Sequence, residues 1–125
     1  MDKLEILAGA ISYIEENLQL DIRTEDVAKA CYCSKSTLEK MFRCINNISV
    51  RDYLIRRRMM FAAKLIKAQP ERSVLDVALD CGYGTNESFS RAFKSIWNCN
   101  PSDFKTRKDI FELFPRLLPP IQDGG

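Results

Sequence analysis

The side chains able to do chemistry in this chain fall in two short polar runs. Ser36, Glu39, Lys40 and Arg43 recur at spacings that share one face of a helix, and Asn86, Glu87, Ser90, Arg91 and Lys94 do the same further along. Together they offer hydrogen-bond donors, acceptors and positive charge, the set that contacts base edges and phosphates. They do not make a bond-breaking site. The chain has no His, which removes the commonest general base and every His-containing zinc site. No nucleophile–base arrangement is visible, so neither enzymatic activity nor a cofactor is expected.

Five Cys are present, an odd number in a chain whose N-terminus lacks the basic head of a signal peptide. A disulfide framework is therefore not expected. Cys31-x-Cys33 invites a metal or redox reading, but a zinc site would need Cys44, Cys99 or carboxylates to converge on it. The simpler reading makes Cys31 and Cys81 small buried hydrophobes. No stretch of apolar residues is long enough for a transmembrane helix. The expected chain is cytoplasmic, monomeric and without a membrane partner.

Net charge is only +2 over 125 residues, but its distribution is uneven. Residues 1–34 hold 3 basic and 7 acidic groups, and residues 35–67 hold 9 basic and 2 acidic. Residues 68–90 return to −3, residues 91–108 swing to +4, and 109–125 fall to −2. A charge block alone is ordinarily a solvated helix face. Two basic blocks in similar settings point instead to an electrostatic footprint for nucleic acid.

The elements that must position these residues are all helices, about seven of them. Leu4, Leu7, Ile11, Ile14 and Leu18 form one stripe over residues 3–18. Thr24 is the expected N-cap of a short second helix ending near Cys31. Ser34 caps a third, with Leu38, Met41, Phe42 and Ile45 as its buried stripe and Asn46-Asn47 as its end. Ser49 starts a long fourth helix, residues 50–68, stopped before Pro70. Ser73 with Asp76 resembles a capping box for a fifth helix over 74–81, which Gly82 ends. Thr85 caps a sixth with Phe89, Phe93, Ile96 and Trp97 inside. Pro101 opens a seventh that ends near Ile110.

The pattern repeats. Val27-Ala28 answers to Val77-Ala78 and Cys31 to Cys81 at an offset of 50, and Leu38, Lys40, Phe42 and Arg43 answer to Phe89, Arg91, Phe93 and Lys94 at 51. Each unit is a short helix, a tight turn and a longer helix, the outline of a helix-turn-helix. In that motif the second helix enters the major groove. The helix between the units spans roughly 28 Å at 1.5 Å per residue. Successive major-groove segments on one face of B-DNA lie ~34 Å apart, so its length suits two reading heads on one duplex. Arg56-Arg57-Arg58 fan around this helix, so at least one should pair with an acid or a carbonyl.

Residues 5–108 resemble the AraC/XylS family of bacterial transcription regulators, of the MarA/SoxS/Rob type. The resemblance rests on Val74-Leu75-Asp76-Val77-Ala78 with Gly82-Tyr83, on Phe89-Ser90-Arg91-Ala92-Phe93-Lys94, and on Pro101-Ser102-Asp103-Phe104-Lys105. Arg58-Met59-x-x-Ala62-x-x-Leu65-Ile66 is similar to the family's linker helix, and Ser34-Lys35-x-x-Leu38-x-x-Met41-Phe42 to its first recognition helix. The resemblance implies an all-α fold of two helix-turn-helix subdomains, residues 1–48 and 70–110, joined by a linker helix at 49–69. It implies sequence-specific binding of double-stranded promoter DNA, usually with recruitment of RNA polymerase. The base-reading positions it implies are Ser36, Thr37, Glu39 and Lys40 in the first head, and Asn86, Glu87, Ser90 and Arg91 in the second. The phosphate contacts it implies are Lys35, Arg43, Lys94, Ser102 and Lys105. Two positions depart from the family. Ser36 stands where relatives carry a bulky aromatic, and Glu39 where an amide is common. Glu accepts from cytosine N4 but repels phosphate, so the first head is expected to read fewer bases.

Residues 111–125, with FPRLLPPIQDGG, read as a tail or linker. The expectation is the N-terminal reader of a longer protein with a C-terminal domain for a small-molecule effector; a stand-alone short activator is the alternative. A helical protein-interaction module is the competing class. Weak salt dependence of DNA binding would favour it, because phosphate neutralisation imposes a slope of roughly −0.9 per contact.

Overall fold

The computed structural model describes residues 2–107 together with Arg116 and Leu117. Among the described residues there are seven helices and no strand: α1 Lys3–Glu16, α2 Thr24–Ala30, α3 Lys35–Asn46, α4 Val50–Ala68, α5 Val74–Asp80, α6 Asn86–Trp97 and α7 Pro101–Phe104. None is long and apolar enough to cross a membrane. Two compact units form. One holds residues 2–17 and 22–54 with Arg116 and Leu117, and the other holds residues 18–21 and 55–107.

In the first unit α1 packs on α2 and α3. Leu7, Ile11 and Ile14 of α1, Val27 of α2, and Leu38 and Phe42 of α3 are fully buried. The Tyr53 ring lies 5.7 Å from Phe42, centroid to centroid, and its hydroxyl donates to Glu15 at 3.2 Å. The α1 stripe is shorter than its sequence pattern. The helix ends at Glu16, and Leu18 is buried outside it, in the second unit. Ile45 departs further from expectation. It continues the α3 stripe but falls in the last turn, where packing leaves it 53% exposed; Met41 is half-buried.

In the second unit the core is aromatic. Phe89, Phe93 and Trp97 recur at i, i+4 and i+8 on α6, and Phe104 of α7 closes over them with its ring 5.1 Å from Trp97 and 5.3 Å from Phe93. The indole N–H of Trp97 donates to the Met59 carbonyl at 3.1 Å, so the one polar atom of that ring is satisfied inside the core. Met59, Ala62, Ala63 and Ile66 of α4 are buried in the same cluster. Residues 50–54 of α4 belong to the first unit and 55–68 to the second.

Arg58 answers the expectation for the arginine triplet. It is only 5% exposed, and its guanidinium donates to the carbonyls of Leu18, at 2.9 Å, and of Leu20. It also lies 5.7 Å from the Tyr83 ring centroid. A buried cation is costly unless hydrogen-bonded, and these carbonyls supply the acceptors. α7 ends at Phe104, before the expected stop near Ile110; residues 108–110 and most of the 111–125 tail lie outside the described residues.

Candidate nucleic-acid interface

Each unit builds its long polar helix with the same local chemistry. Ser34 precedes α3, and its hydroxyl oxygen accepts from the Thr37 N–H at 3.1 Å and donates to the Thr37 hydroxyl at 2.8 Å. Thr85 precedes α6, and its hydroxyl accepts from the Ser88 N–H at 3.1 Å and lies 2.8 Å from the Ser88 hydroxyl. These are equivalent positions of the repeat. Both helices end on an asparagine in the left-handed conformation, Asn47 at φ 56° and Asn98 at φ 58°. The short helices before them differ in their starts. Ser73 caps α5 as expected, accepting from the Asp76 N–H at 3.1 Å, while the Asp76 carboxylate binds Arg72 at 2.6 Å and is held below the usual carboxylate range by it. The cap of α2 falls one residue before the expected Thr24. The Asp26 carboxylate accepts from the Arg23 N–H at 2.8 Å, which makes Arg23 the cap residue and draws Thr24 into the helix.

The turns also match. Gly82 ends α5 at φ 83°, and Tyr32, at the equivalent position after α2, adopts φ 58°. The Tyr32 side chain is 86% exposed, so nothing in its packing demands a tyrosine there. Sequence periodicity does not mark this residue. Its alignment with Gly82 in the repeat is the signal that marks it.

On α3, Leu38 and Phe42 anchor one face, and Ser36, Thr37, Glu39, Lys40 and Arg43 are all exposed on the other. On α6, Phe89, Phe93 and Trp97 anchor one face, and Asn86, Glu87, Arg91 and Lys94 are exposed opposite. Ser90 is half-buried, and its hydroxyl donates to the Asn86 side-chain carbonyl at 2.9 Å. That bond leaves the Asn86 amide N–H groups directed elsewhere and couples the two residues into one unit. Beyond the helix, Ser102 is exposed, whereas Lys105 is half-buried and its ammonium donates to the Arg72 carbonyl at 2.9 Å. Lys35 is engaged as well: its ammonium lies 2.8 Å from the Glu25 carboxylate of α2. That partner is not visible in the sequence, because it depends on how α2 packs against α3.

Cys31 and Cys81 occupy equivalent buried sites, 5% and 0% exposed, and all five cysteines are free thiols. Burial pushes the Cys81 thiol up to about 12, with nearby Arg58 opposing in part; burial also raises Cys31. These are thiols of the core rather than activated nucleophiles.

The comparisons with known proteins agree with this construction. Residues 27–107 match the family model described as "Helix-turn-helix domain". The regulatory protein SoxS of Escherichia coli (strain K12) is 33% identical over 107 residues, covering 86% of this chain and 99% of SoxS. YkgA from the same organism is 32% identical over 120 residues, 94% of this chain, and the chain spans half its length. Among solved structures, the C-terminal domain of AraT, a response regulator from Geobacillus stearothermophilus, superposes with a TM-score of 0.79 at 28% identity, covering 90% of this chain and 93% of that one. The chain belongs to the AraC-type helix-turn-helix family of DNA-binding transcriptional regulators.

Proposed function

We propose that α3 and α6 are the two recognition helices, each reading its own major-groove segment of one asymmetric promoter site. Ser36, Thr37, Glu39 and Lys40 contact bases in the first head, and Asn86, Glu87, Ser90 and Arg91 in the second. Lys35, Arg43, Lys94, Ser102 and Lys105 meet phosphates. The observation that carries this reading is the α6 face. Asn86, Glu87, Arg91 and Lys94 stand exposed on a helix whose other face is locked by three buried aromatic rings. Such anchoring fixes where the polar groups point before DNA arrives, so little ordering entropy opposes binding. Arg91 suits the bidentate contact to guanine O6 and N7. The protein acts without catalysis, in the cytoplasm, and couples promoter binding to RNA polymerase and, in its intact regulator, to a small-molecule effector.

Binding measured across single-base variants of a cognate duplex tests the assignment. Arg91→Ala is expected to lose ~1–3 kcal/mol on the cognate site and to relax the preference at one base pair. Lys94→Ala is expected to weaken all sequences alike and to reduce the salt slope by about 0.9. Unchanged cognate binding in both variants overturns the placement of α6.

A further inference from the structure

The two heads are built alike but differ at one ion pair. In the first, Lys35 on the first turn of α3 lies 2.8 Å from Glu25 on the first turn of α2. In the repeat, Glu25 answers to Leu75 and Lys35 to Asn86, so the second head has no counterpart. Asn86 there is engaged with Ser90 instead. The pair sits on the surface, with side chains 50% and 57% exposed. Exposed pairs contribute little to folding. Its effect therefore has to be sought in what else approaches Lys35.

We propose that Glu25 is an internal competitor for Lys35, an anion that a DNA phosphate must displace before the first head can close on the backbone. The proposal rests on the reading of Lys35 as a phosphate contact. An ammonium has three donors, so geometry alone permits sharing. Charge does not favour it. A phosphate bonded to Lys35 would stand within a few ångströms of the Glu25 carboxylate, and like charges at that distance repel. Lys35 holds the Glu25 carboxyl below its usual range, with Arg23 adding to the effect, so Glu25 stays anionic at neutral pH. The consequence is an affinity threshold. Sequence-independent affinity of the first head is held down, and the head engages only where its base contacts supply the difference.

The test measures Kd of the whole chain on a cognate and a random duplex over a range of salt. The variants are Glu25→Gln, Lys35→Ala and the double change. Glu5→Gln, an exposed acid of α1 in the same unit, controls for net charge. Glu25→Gln is expected to tighten binding to both duplexes by about three- to tenfold at low salt, more than Glu5→Gln does, and to lose this advantage as salt rises. In the Lys35→Ala background the gain should largely vanish. If Lys35→Ala weakens binding but Glu25→Gln matches Glu5→Gln, or gains equally without Lys35, the competitor role is overturned while the phosphate contact stands. If Lys35→Ala leaves both duplexes unaffected, the contact itself falls and the proposal falls with it. Circular dichroism melts keep changes in fold separate from changes in binding.

Discussion

Gly82→Ala offers a direct stability test of the second head. Gly82 sits at φ 83°, where an L side chain costs ~1–2 kcal/mol. A Cβ at this position would meet the carbonyl carbon of Leu20 at 2.9 Å and the carbonyl oxygens of Gln19 and Leu20 at 3.1 Å. Those neighbours are backbone, so relief requires the 18–21 segment to move. That segment is held by Arg58, through bonds to the carbonyls of Leu18 and Leu20. Hydrogen bonds to a charged group are worth about 1.5–3 kcal/mol each, so weakening one adds to the loss. The expected total is ~2–4 kcal/mol. With a urea slope of about 1–3 kcal/mol/M, the unfolding midpoint should fall by roughly 1–2 M, followed by circular dichroism and by Trp97 fluorescence. Tyr32→Gly at the equivalent turn should go the other way. It removes a left-handed strain of ~1–2 kcal/mol against an unfolded-state cost of about 0.4–1, and it loses no packing because the ring is exposed. An unchanged midpoint for Gly82→Ala, or a loss of similar size for Tyr32→Gly, would refute the turn geometry.

Arg58→Leu should destabilise the chain by ~2–3 kcal/mol, because two carbonyls lose a charged donor; a urea midpoint equal to the parent would show that the guanidinium is dispensable. Cys81 should resist iodoacetamide at pH 8 in the folded chain while exposed Cys44 reacts, as mass spectrometry of the digested protein would report. Equal labelling would contradict its burial. The same thiol sets a sign for pH. The unfolded thiol releases its proton near the ordinary 9.0 and the native one near about 12, so the native state binds more protons between them. The Cys81 contribution to stability should therefore be complete below pH 9 and decline as pH rises above it, and replacement by Ala should remove that part of the decline.

Much of this architecture is legible in the sequence because local chemistry fixes it. Ser34, Ser73 and Thr85 announce their helices through hydroxyls that meet N–H groups three residues on, and all three bonds form. The buried faces of α3 and α6 follow from Leu38, Phe42, Phe89 and Phe93 at helical spacing. The start of α2 is misread at Thr24 because the Arg23 carbonyl takes the Val27 N–H that a Thr24 cap would receive, while the Asp26 carboxylate accepts from the Arg23 N–H. Ile45 keeps the period of the stripe, yet period says nothing about where a neighbouring helix stops covering it. The partners of Lys35 and Arg58 are beyond sequence patterning for another reason. Glu25 meets Lys35 through the packing of two helices, and the Leu18 and Leu20 carbonyls meet Arg58 across a long span of chain. The proposed base-reading faces are legible only as exposed polar stripes, since solvated helices carry the same residue types.

Selection of random duplexes of about 25 base pairs against the chain, at two salt concentrations, would show whether α3 and α6 both read DNA. The expected result is an enriched site with two blocks, one lost when Arg91 is replaced and the other altered by changes at Lys40, with affinity falling steeply as salt rises. Binding without enrichment, or an enriched site indifferent to both helices, would contradict recognition by α3 and α6.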